Sequence, residues 1–410
     1  MFKISKKMAF IMLFVILFIS FLAANVSASN AADTVKEFSD GEKALICIAH
    51  RGDWHSFPEN SAEAVNAAAE YDAVSLDIRL TSDQKPVALA DETVDRMLTD
   101  GEGNPVSGSV SSFTLAQLKE LYLRESNGGS DKKRTEFRIP ELSEIYEAAN
   151  GRTAVIVNVN ENDFQAVYDY VKALGRLDET VFRISAKAAR IIELTKDLDN
   201  ITVTGNYQGN IIFLATSAVK ECFKNKIYTI EMGSTNGNGV LYDNFLMKRF
   251  ADNKRAMVSM VNGRCGKRAD NETGWDDLIS RGYSVIETDF PAELTEYIEK
   301  TETAATDLEK YIDLYDRTDL SPYTSESEKA FGSALSTAKE LLNTKASFSQ
   351  LTEARSALQS SHDSLTVGEK KNVTLKFNFT PGRITAVVLC AAAFIIGTLY
   401  LRSKRKTTDN

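Results

Sequence analysis

A chain of 410 residues is long for one domain, so two or three units are the natural expectation. Its apolar content of 43 % is enough to bury a large core. The formal net charge of −9 argues against a general nucleic-acid binder, because neutralising phosphates takes clustered Lys and Arg.

Lys3, Lys6 and Lys7 precede an uncharged apolar run over residues 8–24, and small residues follow, with Val26-Ser27-Ala28 as a cleavage pattern. A basic start, an apolar centre and a small-residue exit are the layout of a secretory signal peptide, here 1–28; the alternative is an uncleaved anchor helix. Over 42–300, short β-branched runs alternate with amphipathic stretches. Strands are expected at Ala44–Ala49, Ala73–Asp77, Pro86–Leu89, Ala154–Val159, Val181–Ile184, Ile201–Thr204, Tyr228–Met232, Met257–Val261 and Val285–Thr288. Several are near-continuous apolar runs, as in strands covered on both faces. Helical spacing lies between them at Ser61–Glu70, Leu115–Leu121, Leu142–Ala149, Asp163–Leu174 and Ala186–Leu198. About eight such units over this length favour an α/β fold of the TIM (β/α)8 barrel type over a doubly wound sheet.

Past residue 300 the strand signal stops. Ala305–Leu314, Ser325–Asn343 and Ser347–Ser364 each carry one apolar stripe, which predicts a small three-helix bundle over 302–367 and then a polar linker, 368–383. Residues 384–401 contain no charge and match the roughly 17–25 residues that a membrane-crossing helix needs. Arg402, Lys404, Arg405 and Lys406 follow, and the positive-inside rule puts this tail (402–410) in the cytoplasm. The expected location is therefore the cell membrane, single-pass, with the main domains outside. Cys47 and Cys390 sit in apolar runs and read as buried hydrophobes, while a Cys222–Cys265 bridge stays open for an extracellular domain.

The chemistry concentrates at strand ends. His50-Arg51, Asp77, Asp91, Asn158 and Asp289 all close predicted strands, and in a βα barrel such positions share one rim. Arginine binds phosphate bidentately and imidazole moves protons, so His50 beside Arg51 suits an anionic substrate; a turn with a satisfied histidine is the alternative for that tripeptide alone.

The ordered series His50-Arg51-Gly52, Pro58-Glu59-Asn60, Leu76-Asp77 with Leu80-Thr81 and Asp83, Asp91-Glu92-Thr93 with Asp95-Arg96, Gly101-Glu102-Gly103, Ile139-Pro140 with Leu142, and Thr288-Asp289 with Pro291 resembles the glycerophosphodiester phosphodiesterase family. The resemblance implies a TIM barrel, an inserted segment at about 92–138, and phosphodiester hydrolysis by two histidines. It also implies a divalent cation, Ca²⁺ or Mg²⁺, held by carboxylates, with a basic residue on the phosphate. Carried over residue by residue, it makes His50 the first histidine, Arg51 the phosphate-binding neighbour, and Asp77 with Glu59 what is left for a metal. Four positions depart. Ser75 stands where the family has a carboxylate, Ala90 where it has the second histidine, and Asn158 and Asn160 where it has Glu and Lys. Hard cations want charged oxygen ligands, so a metal site should be weak or lost. Ala90 cannot transfer a proton, although His55 in the loop after the first strand offers a substitute, and a shifted alignment would recruit Glu161.

The expected function is thus a membrane-anchored extracellular family member with a degraded site. Arg51, Asn158 and Asn160 would hold a phosphodiester, glycerol-phosphate, teichoic-acid-like or cell-wall glycan ligand with little or no hydrolysis. The alternative is an active phosphoric diester hydrolase of lipid metabolism with an altered metal site. The helical region, through Tyr323-Thr324, Phe331, Ala334-Leu335, Ala338, Leu341, Asn343, Ala346, Leu351, Ala354 and Leu358, resembles the FIVAR modules of Gram-positive surface proteins, with a plain helical spacer as the other reading.

Overall fold

The structure is a computed structural model and describes residues 30–41, 45–209, 211–233, 244–250, 254–261, 265 and 268–368. The expected signal segment, the expected membrane-crossing run 384–401 and the basic tail after it lie outside the described residues. Among those described, no helix is long and apolar enough to cross a membrane.

The core is a TIM-barrel-like parallel sheet. Its strands are β1 (Ile46–His50), β2 (Ala73–Leu80), β3 (Pro86–Ala88), β4 (Leu98–Thr99), β5 (Tyr122–Leu123), β6 (Ala154–Asn160), β7 (Thr180–Ser185), β8 (Thr202–Val203), β9 (Gly205–Gln208), β10 (Thr229–Gly233), β11 (Arg255–Ser259) and β12 (Tyr283–Thr288). The sheet runs β8-β7-β6-β2-β1-β12-β11-β10-β9. Its two end pieces, β8 and β9, are consecutive in the chain around Thr204, whose N–H still donates to Phe182 O (3.0 Å). The fifth stave is thus one stretch of chain broken in two, each piece pairing one neighbour. The strand expected at Pro86–Leu89 is not a stave: β3 pairs antiparallel with β2, Ile78 opposite Ala88. A short apolar run does not reveal which way it pairs.

Side chains alternate across each stave. Cys47, Val74, Leu76, Val155, Val157, Phe182, Ile230 and Ile286 belong to the cluster between sheet and helices. Ile46, Ile48, Ala73, Ala154, Ile156, Val181, Met257 and Val285 form the inner one, joined by Val35 and Phe38 of the helix Ala31–Glu37. That helix plugs the barrel end where the staves begin. Stepping onward by two residues along the inner face reaches His50, Ser75, Asp77, Asn158, Arg183, Glu231 and Glu287, so the lower interior is apolar and the upper interior polar.

Between β3 and the helix Leu142–Ala149, the expected insertion forms its own small cluster around Val94, Met97, Leu98, Val110, Leu118 and Leu123, with β4 and β5 paired antiparallel. The helix expected at Ala305–Leu314 is the second half of one helix, Pro291–Tyr315, opened by proline at its first turn. Leu294, Tyr297, Ile298, Thr301, Ala304, Leu308, Ile312 and Tyr315 are buried along it at three- and four-residue steps. No glycine or internal proline interrupts that stripe, so the helix crosses the boundary expected near residue 301. Ser325–Leu342 and Phe348–Asp363 complete the helical region. Phe348 N donates to Tyr297 Oη (3.1 Å) and Ser349 N to Asp276 Oδ1 (3.1 Å), tying the last helix to the barrel's outer layer.

Cys222 and Cys265 are buried thiols rather than a bridge. Burial pushes the Cys222 thiol up to about 12, while Cys265 Sγ donates to Met260 O (3.4 Å).

Candidate active site

β1 ends in a turn that only certain residues tolerate. Arg51 takes φ +61° and Gly52 φ +79°. A Cβ on Gly52 would meet the Ala64 backbone carbon at 2.7 Å, so glycine is required there. Arginine has no such freedom, and a left-handed residue costs it about 1–2 kcal/mol. Its guanidinium is what holds it there: Nε donates to Asp77 Oδ2 (2.9 Å) and Nη1 to both oxygens of Glu59 (3.1 and 3.0 Å). Burial works against the charge, but Asp77 and Glu59 outweigh it and keep the pKa of Arg51 above its ordinary value.

Glu59 is 2 % exposed. It also accepts from Arg96 Nη2 (2.6 Å), whose Nε donates to Asp91 Oδ2 (2.6 Å). Asn60, itself left-handed at φ +58°, accepts from Asp77 N through its side chain (3.1 Å). The Pro58-Glu59-Asn60 element therefore positions Arg51 and the end of β2.

His50 is buried and its Nδ1 lies 2.8 Å from Asp289 Oδ1. The same oxygen accepts from Trp54 Nε1 (2.9 Å). Burial would raise the Asp289 carboxyl, but hydrogen bonding to His50 and Trp54 holds it below the ordinary range. A carboxylate on Nδ1 directs the other ring nitrogen away from it, the arrangement that prepares an imidazole for proton transfer. Asp289→Ala is expected to cost about 1.5–3 kcal/mol, because it strips two donors of a charged acceptor. Urea unfolding checks this, and a loss under about 0.5 kcal/mol would mean that the pair is not formed.

Deeper lies a network whose charged residues belong to none of the motifs. Arg183 donates to Glu231 through Nε (2.7 Å) and Nη2 (2.9 Å), and to Glu287 through Nη1 (2.7 Å) and Nη2 (3.1 Å). Ser75 Oγ donates to Glu287 Oε1 (2.5 Å). Burial opposes all these charges. Even so, Arg183 holds the Glu287 carboxyl well below its usual range, and the two glutamates raise the guanidinium. The only sequence signal was a charge inside each of three strand runs.

His50, Arg51, Asp77, Asn158, Arg183, Ser185 and Glu287 line a cavity of about 80 Å³. Asn158 donates to Asp77 Oδ1 (3.3 Å), and its own Oδ1 is buried with no partner among the described residues. Asn160 is placed elsewhere: its Oδ1 accepts from Asn162 N and Asp163 N (both 2.9 Å), starting the next helix. His55 is stacked between Trp54 (4.0 Å) and Phe290 (5.2 Å), its Nε2 on Asp289 O (3.0 Å), and does not line the cavity. Glu161 pairs with Arg190 at the surface (2.9 Å).

The donor set does not fit a divalent cation. Asp77 and Glu59 are both taken up by Arg51, Ser75 is neutral, and Glu161 is turned to Arg190. Among the described residues no three His, Cys, Asp or Glu side chains form a metal-holding group.

Residues 50–262, just over half of the chain, match the model of the glycerophosphoryl diester phosphodiesterase family. A glycerophosphodiester phosphodiesterase of Caldanaerobacter subterraneus is 40 % identical over 119 residues, 28 % of this chain and 44 % of that protein. Glycerophosphodiester phosphodiesterase 1 of Mus musculus is 42 % identical over 105 residues, 24 % of this chain and 29 % of that one. The matched stretch thus spans less than half the length of either relative. A glycerophosphoryl diester phosphodiesterase of Parabacteroides distasonis shares the fold with TM-score 0.51 and 19 % identity, over 65 % of this chain and 91 % of that one.

Proposed function

Because the chain belongs to the glycerophosphoryl diester phosphodiesterase family, we propose that its site binds a glycerol phosphate or phosphodiester group with little or no hydrolysis. The observation that carries this reading is the cavity's makeup. It holds one histidine, and Ala90 stands where a second would be needed. General acid–base transfer contributes about 10²–10⁴-fold, so losing half of a two-histidine relay removes most of the rate while leaving the binding groups. Arg51 Nη2 and Arg183 offer N–H donors suited to phosphate oxygens, and Asn158 Oδ1 offers an acceptor suited to a hydroxyl.

In this reading the protein is held in the cell membrane by the apolar run 384–401, with the barrel and a FIVAR-like helical region outside. Its ligands are then surface glycerophosphodiesters, teichoic-acid-like polymers or wall glycans.

The test measures turnover of glycerophosphodiesters and binding of sn-glycerol 3-phosphate by the full chain. Expected are no measurable turnover with Ca²⁺ or Mg²⁺, and saturable binding weakened at least about tenfold by Arg51→Ala, the loss of a charge-assisted pair. Metal-dependent turnover abolished by His50→Ala would establish the enzyme instead.

A further inference from the structure

We infer that Arg183 is the fixed cation of this site, so that a phosphate oxyanion is held without a divalent metal. The inference rests on the binding function proposed above and concerns how the charge is met.

Three observations carry it. The carboxylates available to a metal are already occupied by arginines, as the bonds of Asp77 and Glu59 to Arg51 show. Where the family's first carboxylate would stand, Ser75 is neutral and turns its hydroxyl to Glu287. And the cavity wall contains a second guanidinium, that of Arg183, whose side chain is 11 % exposed.

The geometry of Arg183 explains why it serves as a fixed charge. Glu231 on β10 and Glu287 on β12 grip it from two staves with four hydrogen bonds, leaving one N–H of Nη1 without a partner among the described residues. A group held this way loses no side-chain entropy when a ligand arrives. Its planar fork suits phosphate oxygens better than an ammonium would. With Arg51 across the cavity, two permanent cations face the ligand, and neither depends on the concentration of free Ca²⁺ or Mg²⁺. Arg183 is balanced within the wall by Glu231 and Glu287, and Arg51 by Asp77 and the Glu59 it shares with Arg96. The unfilled cavity is therefore not left with a bare positive charge, and a phosphate is met by directed N–H donors rather than by net charge. Incoming phosphate competes for an N–H that is free, not for one already bonded.

Calorimetric titration of the full chain with sn-glycerol 3-phosphate, in EDTA and separately in millimolar Ca²⁺ or Mg²⁺, tests this. Affinities within twofold of each other are expected, with no rise in melting temperature from either cation alone. Binding that appears only with a cation would overturn the role of Arg183 and leave the binding function standing. No binding in any condition would overturn the binding function itself. Arg183→Lys, confirmed as folded by its melting transition, is expected to bind at least tenfold more weakly in EDTA; binding equal to the parent's would also overturn the inference. Should that variant not fold, the cation comparison on the unaltered chain decides alone.

Discussion

Replacing Arg183 with methionine is expected to lower stability at pH 7 by about 3–5 kcal/mol, the cost of leaving buried charge without its partner. Glu231 and Glu287 are each 1 % exposed, and the methionine would offer neither of them a proton donor. The loss should depend on pH in a way that simple loss of packing does not. In the parent chain, burial pushes the Glu287 carboxyl up, but Arg183 overcomes this and the folded pKa lies below the unfolded one. Its contribution is therefore fully present above the unfolded value, about 4.3, and is lost as pH falls toward the folded value. In Arg183→Met burial is opposed only by the smaller contributions of His50 and the Ser75 hydroxyl, so the folded pKa is expected to rise above the unfolded one. The variant then loses stability as pH climbs from about 4 toward neutrality.

Urea titrations of parent and variant at pH 4 and pH 7 should accordingly show a gap that is wide at neutral pH and narrow in acid. An equal deficit at both would mean that the network contributes by shape alone. The triple variant R183M/E231Q/E287Q should recover much of the loss, since a charge-free interior of similar volume is often no less stable than a buried ion network.

The same network shows why part of the site could be read from sequence and part could not. His50 and Asp289 were visible as polar residues closing predicted strands, and a closed barrel brings all such ends to one rim, so 239 residues of separation posed no obstacle. Arg51, Asp77 and Asn158 reach the cavity for the same reason. Arg183, Glu231 and Glu287 lie within strands, one inward step from the apolar layer. A single charge in a strand run reads equally as an outward solvated residue. Only the pairing of staves whose residues are 48 and 104 apart shows that the three charges meet.

Asn160 shares the inward phase of Asn158, yet it is the last residue of β6 and its side chain is spent on the turn that leads to the next helix. The barrel itself was legible because strands such as Ala73–Asp77 and Ala154–Val159 are covered on both faces and read as continuous apolar runs. Pro86–Leu89 has the same composition but only a short span, and its antiparallel partner comes from local chain reversal, to which hydropathy is blind. The helix Pro291–Tyr315 escaped because half of its buried stripe is Tyr, Thr and Ala rather than large aliphatic residues.

Glu59→Ala is expected to be the second severe substitution, costing about 3 kcal/mol or more. The carboxylate is nearly inaccessible and serves two guanidiniums at once, Arg51 from the β1 turn and Arg96 from the insertion. Removing it leaves each arginine one carboxylate, Asp77 or Asp91, and takes away the group they share. Arg51 has the more to lose. Its left-handed backbone is tolerated because both ends of its guanidinium are gripped; with one grip gone, the turn is expected to relax toward ordinary φ and carry Nη2 away from the cavity. Binding of sn-glycerol 3-phosphate should therefore fall along with stability. Glu59→Gln separates charge from shape: it keeps the volume and one acceptor oxygen, so stability should rank parent, then Gln, then Ala in urea unfolding. A Gln variant as damaged as Ala would assign the cost to charge, and an Ala variant as stable as the parent would remove Glu59 as the link between the motif turn and the insertion.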